Sequence, residues 1–258
     1  MSGRARDLER LRRALDAAAT ALRRHMGGKV AYTIKEGHGP VTAADRELDD
    51  LLRTMLPEPG EGWLSEETID DPARLSCRRV WIVDPIDGTK SFVAGRPEYA
   101  ISIALVEDGE PVLGGVCNPA AGVTVTGGRE VGLHVEGLPQ LPFVSPPSSL
   151  RVLASRSELR AGAWSEWTQR DDIEVLSISS VAYKLALVAA GAADATWTVW
   201  NKSEWDVAAG AALVRAAGGE VWAPGHASVA MNRRKPRFLA FAAAQAGALA
   251  RARSLFDG

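Results

Sequence analysis

Cysteine and histidine are both scarce in this 258-residue chain, and each shortage narrows its chemistry. Two cysteines, Cys77 and Cys117, cannot build a disulfide framework and share no metal-type spacing, so reduced thiols are expected. Four scattered histidines, His25, His38, His134 and His226, argue against a histidine-based nuclease or phosphatase and against a zinc cluster. An excess of either charge is missing too. The 30 basic and 32 acidic residues leave a formal net charge of −2, without the basic surface that duplex nucleic acid demands. No apolar run approaches the roughly 20 residues of a membrane span. Neither an internal repeat nor a low-complexity tail is visible. Hydrophobic residues make up 46%, enough to bury a substantial core as one unit or two close subdomains. A cytoplasmic protein with no nucleic-acid or membrane partner is expected.

The arginines near the start, Arg4, Arg6, Arg10, Arg12 and Arg13, raise the question of a transit peptide, which Asp7, Glu9 and Asp16 answer against. Leu8, Leu11, Leu15, Ala18, Ala19 and Leu22 recur at helical spacing. An amphipathic helix docked on the core is expected, with its arginines on a solvated face.

The most informative stretch is Trp81-Ile82-Val83-Asp84-Pro85-Ile86-Asp87-Gly88-Thr89. Its apolar start reads as a short buried strand, and Pro85 fixes a dihedral and removes a donor where the strand should stop. Asp84 and Asp87 can then share one pocket, while amides around Gly88 and Thr89, if they open a helix, face outward as anion donors. Oxygen ligands select a hard cation such as Mg²⁺. Taken alone, Asp-x-x-Asp beside Pro and Gly also describes a solvated turn.

Elsewhere Thr42-x-x-Asp45 precedes the periodic Leu48, Leu51, Leu52 and Met55 as a capping box, and Ser203-x-x-Asp206 precedes an alanine-rich run as another. Tyr99 to Val106 and Pro111 to Val116 form a hairpin around Asp108-Gly109, followed by strands at Val123 to Thr126 and Val131 to Val135. Residues 139 to 149, rich in proline and serine, read as a linker. After it come a strand at Leu150 to Ala154, helices at Val181 to Ala190 and Val207 to Ala217 each ended by glycine, and a strand running into a helix within Phe238 to Phe256.

Four motifs together resemble the inositol monophosphatase superfamily of Mg²⁺-dependent, lithium-sensitive phosphatases. Pro40-Val41-Thr42-Ala43-Ala44-Asp45 is similar to the V-T-x-x-D segment, and Leu64-Ser65-Glu66-Glu67 to the G/S-E-E segment. The central Asp84–Thr89 run and Glu204-Trp205-Asp206-Val207-Ala208-Ala209-Gly210 complete the set in family order. The resemblance implies a layered α/β/α/β/α sandwich of the sugar-phosphatase type. Residues 1–140 would carry the metal loop, residues 150–258 would contribute Asp206 and substrate residues, and the active site would lie between. It also implies that Glu66, Asp84 and the Ile86 carbonyl bind one Mg²⁺, that Asp84, Asp87 and Asp206 bind a second, and that a third sits near Glu66 and Asp45. Glu66 is chosen over Glu67 because it aligns with the first acid of the family pair. Thr89, beside Glu66 or Asp45, would orient or deprotonate the attacking water. Gly88 and Thr89 amides would hold the phosphate.

Lys90, Ser179-Ser180 with Lys184, and Lys202-Ser203-Glu204-Trp205-Asp206 are similar to segments of the 3'(2'),5'-bisphosphate nucleotidase branch. Substrate contacts are therefore expected from Asp87, Gly88, Thr89, Lys90, Ser180, Lys184, Lys202, Glu204 and Asp206, with Lys184 and Lys202 on a second phosphate. Ser179 and Trp200 replace glycines of that branch. Adenosine 3',5'-bisphosphate leads as substrate, with inositol phosphate, histidinol phosphate or a sugar bisphosphate behind it, and a non-catalytic metal-dependent binding protein is the alternative of another class. Relatives occur as monomers and dimers, so a homodimer is compatible.

Overall fold

The computed structural model describes residues 3–27, 30–34, 40–146, 148–226 and 228–257. His38 and Pro147, one of the scattered histidines and one of the linker prolines, lie outside them.

Alternating burial along two sheets sets the architecture. A mixed sheet holds six strands in the spatial order Gly62–Ser65, Arg79–Asp87, Ala100–Glu107, Glu110–Asn118, Val123–Gly128 and Gly132–Glu136, the first pair parallel and the rest antiparallel. Because successive strand side chains point to opposite faces, Trp81 and Val83 bury against one layer of helices and Val80 and Ile82 against another. The outer layer is Gly3–Arg23 with Ala43–Met55. The inner layer is Val181–Ala189 with Glu204–Ala216. A second sheet, in the order Ile173–Ser177, Leu150–Ala154, Ala195–Thr198, Phe241–Ala244 and Glu220–Trp222, covers the far side of that inner layer. There Leu153 and Ala243 face the inner helices, while Val152, Trp197 and Ala242 face Trp164, Trp167 and the Leu249–Phe256 helix. The result is a layered α/β/α/β/α sandwich. One core thus contains residues from both halves of the chain, Leu64 to Ala243, and no helix among the described residues is long and apolar enough to cross a membrane.

Both capping boxes form, at Thr42 and at Ser203. The hairpin turns at Asp108-Gly109, both with positive φ, as the tight turn between antiparallel strands requires. Three local expectations change. Pro85 does not end its strand, which runs on to Asp87 through a register break. Arg10 is not on the solvated face: it is buried, pairs with Asp7 and Glu61, and lies over the Trp81 ring. The strands Ile173–Ser177 and Ala195–Thr198 add to the expected elements.

The inner helices approach each other closely. A Cβ at Gly210 would meet the Leu185 Cβ at 2.3 Å, so only glycine allows the Glu204–Ala216 helix to lie this deep. That depth places the first turn of the helix, and Asp206 with it, at the end of the six-stranded sheet.

Candidate active site

The bulge at the end of the Arg79–Asp87 strand is what makes two acids into one site. Asp84 pairs with Ser102 and Asp87 with Ala100, so three residue steps on one strand face two on its neighbour. In a regular strand, side chains three apart point to opposite faces. The extra residue turns Asp87 back toward Asp84. Ser102 also donates from Oγ to the Trp205 carbonyl at 3.2 Å, which fixes the neighbouring Asp206 beside the same strand end. Carboxylate oxygens of Asp84, Asp87 and Asp206 consequently lie within 4.8 Å of one another.

Each acid is held on one side. Asp84 accepts from the Ile86 amide on Oδ1 at 3.0 Å, and its Oδ2 is buried without any hydrogen-bond partner. Asp87 accepts on Oδ2 from Ser180 Oγ at 2.7 Å and from the Ala182 amide at 2.6 Å. Asp206 accepts on Oδ2 from the Ser203 amide at 2.8 Å. Asp45, in the first turn of its helix, accepts on Oδ2 from the Thr42 amide at 2.7 Å and Thr42 Oγ1 at 2.6 Å. Its Oδ1 lies 3.3 Å from Thr89 Oγ1, which is also 2.9 Å from the Ile86 carbonyl.

Burial dominates the electrostatics. It raises the Asp84 carboxyl well above the ordinary range, with further repulsion from Glu66, Asp87, Asp206 and Asp45. Asp87 is raised by burial although Ser180, the Ala182 amide, Lys202 and Lys184 oppose the shift. Asp206 is pushed up to about 7 by burial and then by Asp87. Burial also raises Asp45. Acids crowded at this density, one with an orphaned buried oxygen, fit an all-oxygen site for a hard cation.

The cluster opens into a cleft of about 370 Å³, within the size range of small-ligand sites. Glu66, Asp84, Asp87, Gly88, Thr89, Lys90, Lys202 and Asp206 line it, with Trp200 and Ser179. Glu66 lies beyond the three-carboxylate group but on the same cleft, and Glu67 does not line it. Gly88 has φ +96°, and a Cβ there would sit 2.8 Å from the Glu98 carbonyl, so glycine is required where the strand turns into the Thr89–Val93 helix.

Three expected substrate residues stand elsewhere. Ser180 is fully buried and orients Asp87 from behind. Glu204 is fully buried and accepts from the Asn232 amide at 2.7 Å and the Arg233 amide and Nε at 3.1 Å. Lys184 is 1% exposed and does not line the cleft. Its Nζ has no hydrogen-bond partner, and burial lowers it to about 8. Sequence reading missed the cationic wall formed by Arg96, Arg156 and Arg160 with Ser155 and Ser157. Arg156 bonds Glu98, which also accepts from the Ser179 amide at 3.1 Å and Ser179 Oγ at 3.0 Å. The available signal was position alone, since Ser155 to Arg160 follow the Leu150–Ala154 strand of the second sheet and Arg96 follows the Thr89–Val93 helix of the metal loop.

A five-layered sandwich with an acidic cluster at a bulged strand end defines a phosphoric monoester hydrolase of the sugar-phosphatase type. The chain belongs to the inositol monophosphatase family, matching it over residues 6–254. It is 35% identical over 195 residues to the 3'(2'),5'-bisphosphate nucleotidase CysQ of Shigella flexneri, across 72% of this chain and 77% of that one. A fructose-1,6-bisphosphatase/inositol-1-monophosphatase of Thermotoga maritima is 34% identical over 188 residues, covering 70% of each. The crystal structure of CysQ from Bacteroides thetaiotaomicron, a bacterial member of the inositol monophosphatase family, superposes with a TM-score of 0.76 at 28% identity, over 93% of this chain and 97% of that one.

Proposed function

We propose that this phosphatase is a Mg²⁺-dependent 3'(2'),5'-bisphosphate nucleotidase that converts adenosine 3',5'-bisphosphate to AMP. The observation that carries the reading is the division of charge in one cleft. Acids gather at Glu66, Asp84, Asp87 and Asp206, and a wall of Arg96, Arg160 and Lys202, beside an Arg156 already paired with Glu98, exceeds what one phosphate needs. The nucleotidase relative at 35% identity supports it. An inositol or sugar phosphate is the second reading, favoured by the Thermotoga maritima relative at nearly the same identity.

Glu66, Asp84 and the Ile86 carbonyl would hold one Mg²⁺, and Asp84, Asp87 and Asp206 a second, with a third near Glu66 and Asp45. Bound ions there supply charge neutralisation, a more acidic water and stabilisation of the departing oxygen. The chain's own groups position the rest. Thr89 Oγ1, between Asp45 and the Ile86 carbonyl, takes a proton from the attacking water as it gives its own to Asp45 Oδ1. The raised Asp45 carboxyl is suited to receive it. Gly88 and Thr89 amides, at a helix start without intrahelical acceptors, hold the phosphate oxygens. Ser180 and the Ala182 amide keep Asp87 turned toward the cleft. In this reading the halves 1–140 and 150–258 meet at the cleft, and the enzyme works in the cytoplasm on a free ester.

Phosphate release with Mg²⁺ across adenosine 3',5'-bisphosphate, AMP, inositol 1-phosphate, histidinol phosphate and fructose 1,6-bisphosphate tests the proposal. Clear preference for the adenosine bisphosphate is the expected result. Preference for a monophosphate or a sugar bisphosphate refutes the nucleotidase assignment.

A further inference from the structure

Hydrolysing a phosphate does not require an aromatic wall, yet this cleft has one. Trp200 is 43% exposed, whereas the other seven tryptophans of the chain are buried or half-buried. A single exposed apolar side chain is ordinary on a protein surface. This one differs because its backbone is fixed and its position is inside the cleft. The Trp200 amide lies 3.3 Å from Glu158 Oε1, and its carbonyl lies 3.4 Å from Thr198 Oγ1. Glu158 is fully buried and also accepts from Trp164 Nε1 at 2.9 Å, so it is itself anchored. Two residues on, Lys202–Ser203 pairs with Arg237–Phe238. The indole is therefore presented from a stiff rim, with Arg160 and Lys202 lining the same cleft. A flat π face beside cations recognises a flat ring that carries anionic charge, and inositol or a sugar offers no such face.

We propose that Trp200 is the base-stacking residue of the cleft. A ligand with one phosphate at the acidic cluster lays a nucleobase on the indole, its second phosphate toward Lys202 and Arg160. For the substrate this rests on the nucleotidase reading; for the stack itself it does not.

The test uses the intact enzyme and its Trp200→Ala and Trp200→Phe variants, each checked for folding by circular dichroism. Two quantities are measured: the ratio of kcat/KM for adenosine 3',5'-bisphosphate over fructose 1,6-bisphosphate, and the inhibition constant of adenosine against hydrolysis of glycerol 2-phosphate. In Trp200→Ala the ratio is expected to fall about tenfold through KM, the scale of one base–aromatic stack. Adenosine inhibition should weaken by a similar factor, and Trp200→Phe should recover most of both. An unchanged ratio together with unchanged adenosine inhibition overturns the proposal, as does failure of Trp200→Phe to recover more than Trp200→Ala. A wild-type enzyme that prefers a non-nucleotide substrate defeats the nucleotidase reading, and the adenosine measurement still decides whether Trp200 stacks a base.

Discussion

Removing one acid from the cluster should make the metal-free protein more stable, and the gain should depend on pH. Asp206 titrates near 7 in the fold against 3.8 ordinarily, because burial and Asp87 disfavour its charge. Between those values the unfolded chain has released a proton that the folded chain keeps, so stability falls as pH rises from about 4 to about 7. Each pH unit in that window costs up to about 1.4 kcal/mol. From pH 5 to 7, with the slope fading as the folded group nears its midpoint, the full effect is about 2.3 kcal/mol, and about half of that after discounting for the solvent that reaches this half-buried carboxylate. Asp206→Asn removes the titration and keeps the shape. At about 2–4 °C per kcal/mol for a chain of this size, its advantage in Tm over wild type should grow by about 2–9 °C between pH 5 and pH 7 in EDTA. Scanning calorimetry of both proteins at the two pH values makes the measurement; comparing variant with wild type cancels the titrating groups outside the cluster, while Asp84 and Asp87, relieved of a neighbouring charge, shift in the direction that adds to the variant's advantage. Saturating Mg²⁺ should reverse the order, since the cation stabilises the wild type and the variant has lost a ligand. An advantage that is constant with pH, or that survives Mg²⁺, refutes the reasoning.

Asp84→Asn should lower Mg²⁺-dependent phosphate release by at least about a thousandfold while circular dichroism shows an unchanged fold, because it neutralises the acid with the orphaned oxygen; turnover near wild type would remove it from the metal site. Thr89→Ala should cut kcat by about a hundredfold or more with a small change in KM, as expected for a proton-handling group; a KM effect with unchanged kcat contradicts that role. Gly88→Ala should lower Tm by about 5–10 °C, from a strained positive φ and a Cβ driven against the Glu98 carbonyl, and thermal melts that overlay wild type would disprove the account. Lys184→Met should stabilise the protein by about 1–3 kcal/mol at pH 7, since a buried ammonium without a hydrogen bond, whose burial outweighs the attraction of Glu158 and Asp87, is replaced by an apolar chain of similar length, and urea unfolding checks it.

Local chemistry made much of the fold legible. Capping boxes at Thr42 and Ser203, the Asp108-Gly109 turn and the helical spacing of Leu8 to Leu22 are short-range signals, and the chain follows them. Strands such as Ile173–Ser177 and Ala195–Thr198 were not legible because Ile-Glu-Val and Ala-Thr-Trp-Thr alternate over too few residues to stand out before pairing with Leu150–Ala154 and Phe241–Ala244 makes them strands. The same division holds at the site. Asp84, Asp87 and Asp206 could be read from motifs, whereas the cationic wall could not, since Arg96 and Arg160 are brought together only by the stacking of two sheets. Lys184 was misplaced for a related reason: its residue type suggested phosphate, but the helix carrying it is buried on every side.

Asp45 and Asp206 show why the structural and catalytic readings of these acids do not compete. Each sits at the third position of its helix and accepts on Oδ2 from the backbone that precedes the helix. Such a bond completes a cap, and it also fixes the rotation of the carboxylate. Asp84 and Asp87 are held by the same principle, through the Ile86 amide and the Ala182 amide respectively. A carboxylate with one oxygen tied to backbone cannot swing away from its neighbours when repelled. That constraint lets burial raise the carboxyls of the cluster instead of dispersing them, and it keeps Asp84 Oδ2 pointing at a place where nothing in the protein answers it. The caps therefore contribute twice: they stabilise two helices and they hold an electrostatically unfavourable cluster in readiness for a cation.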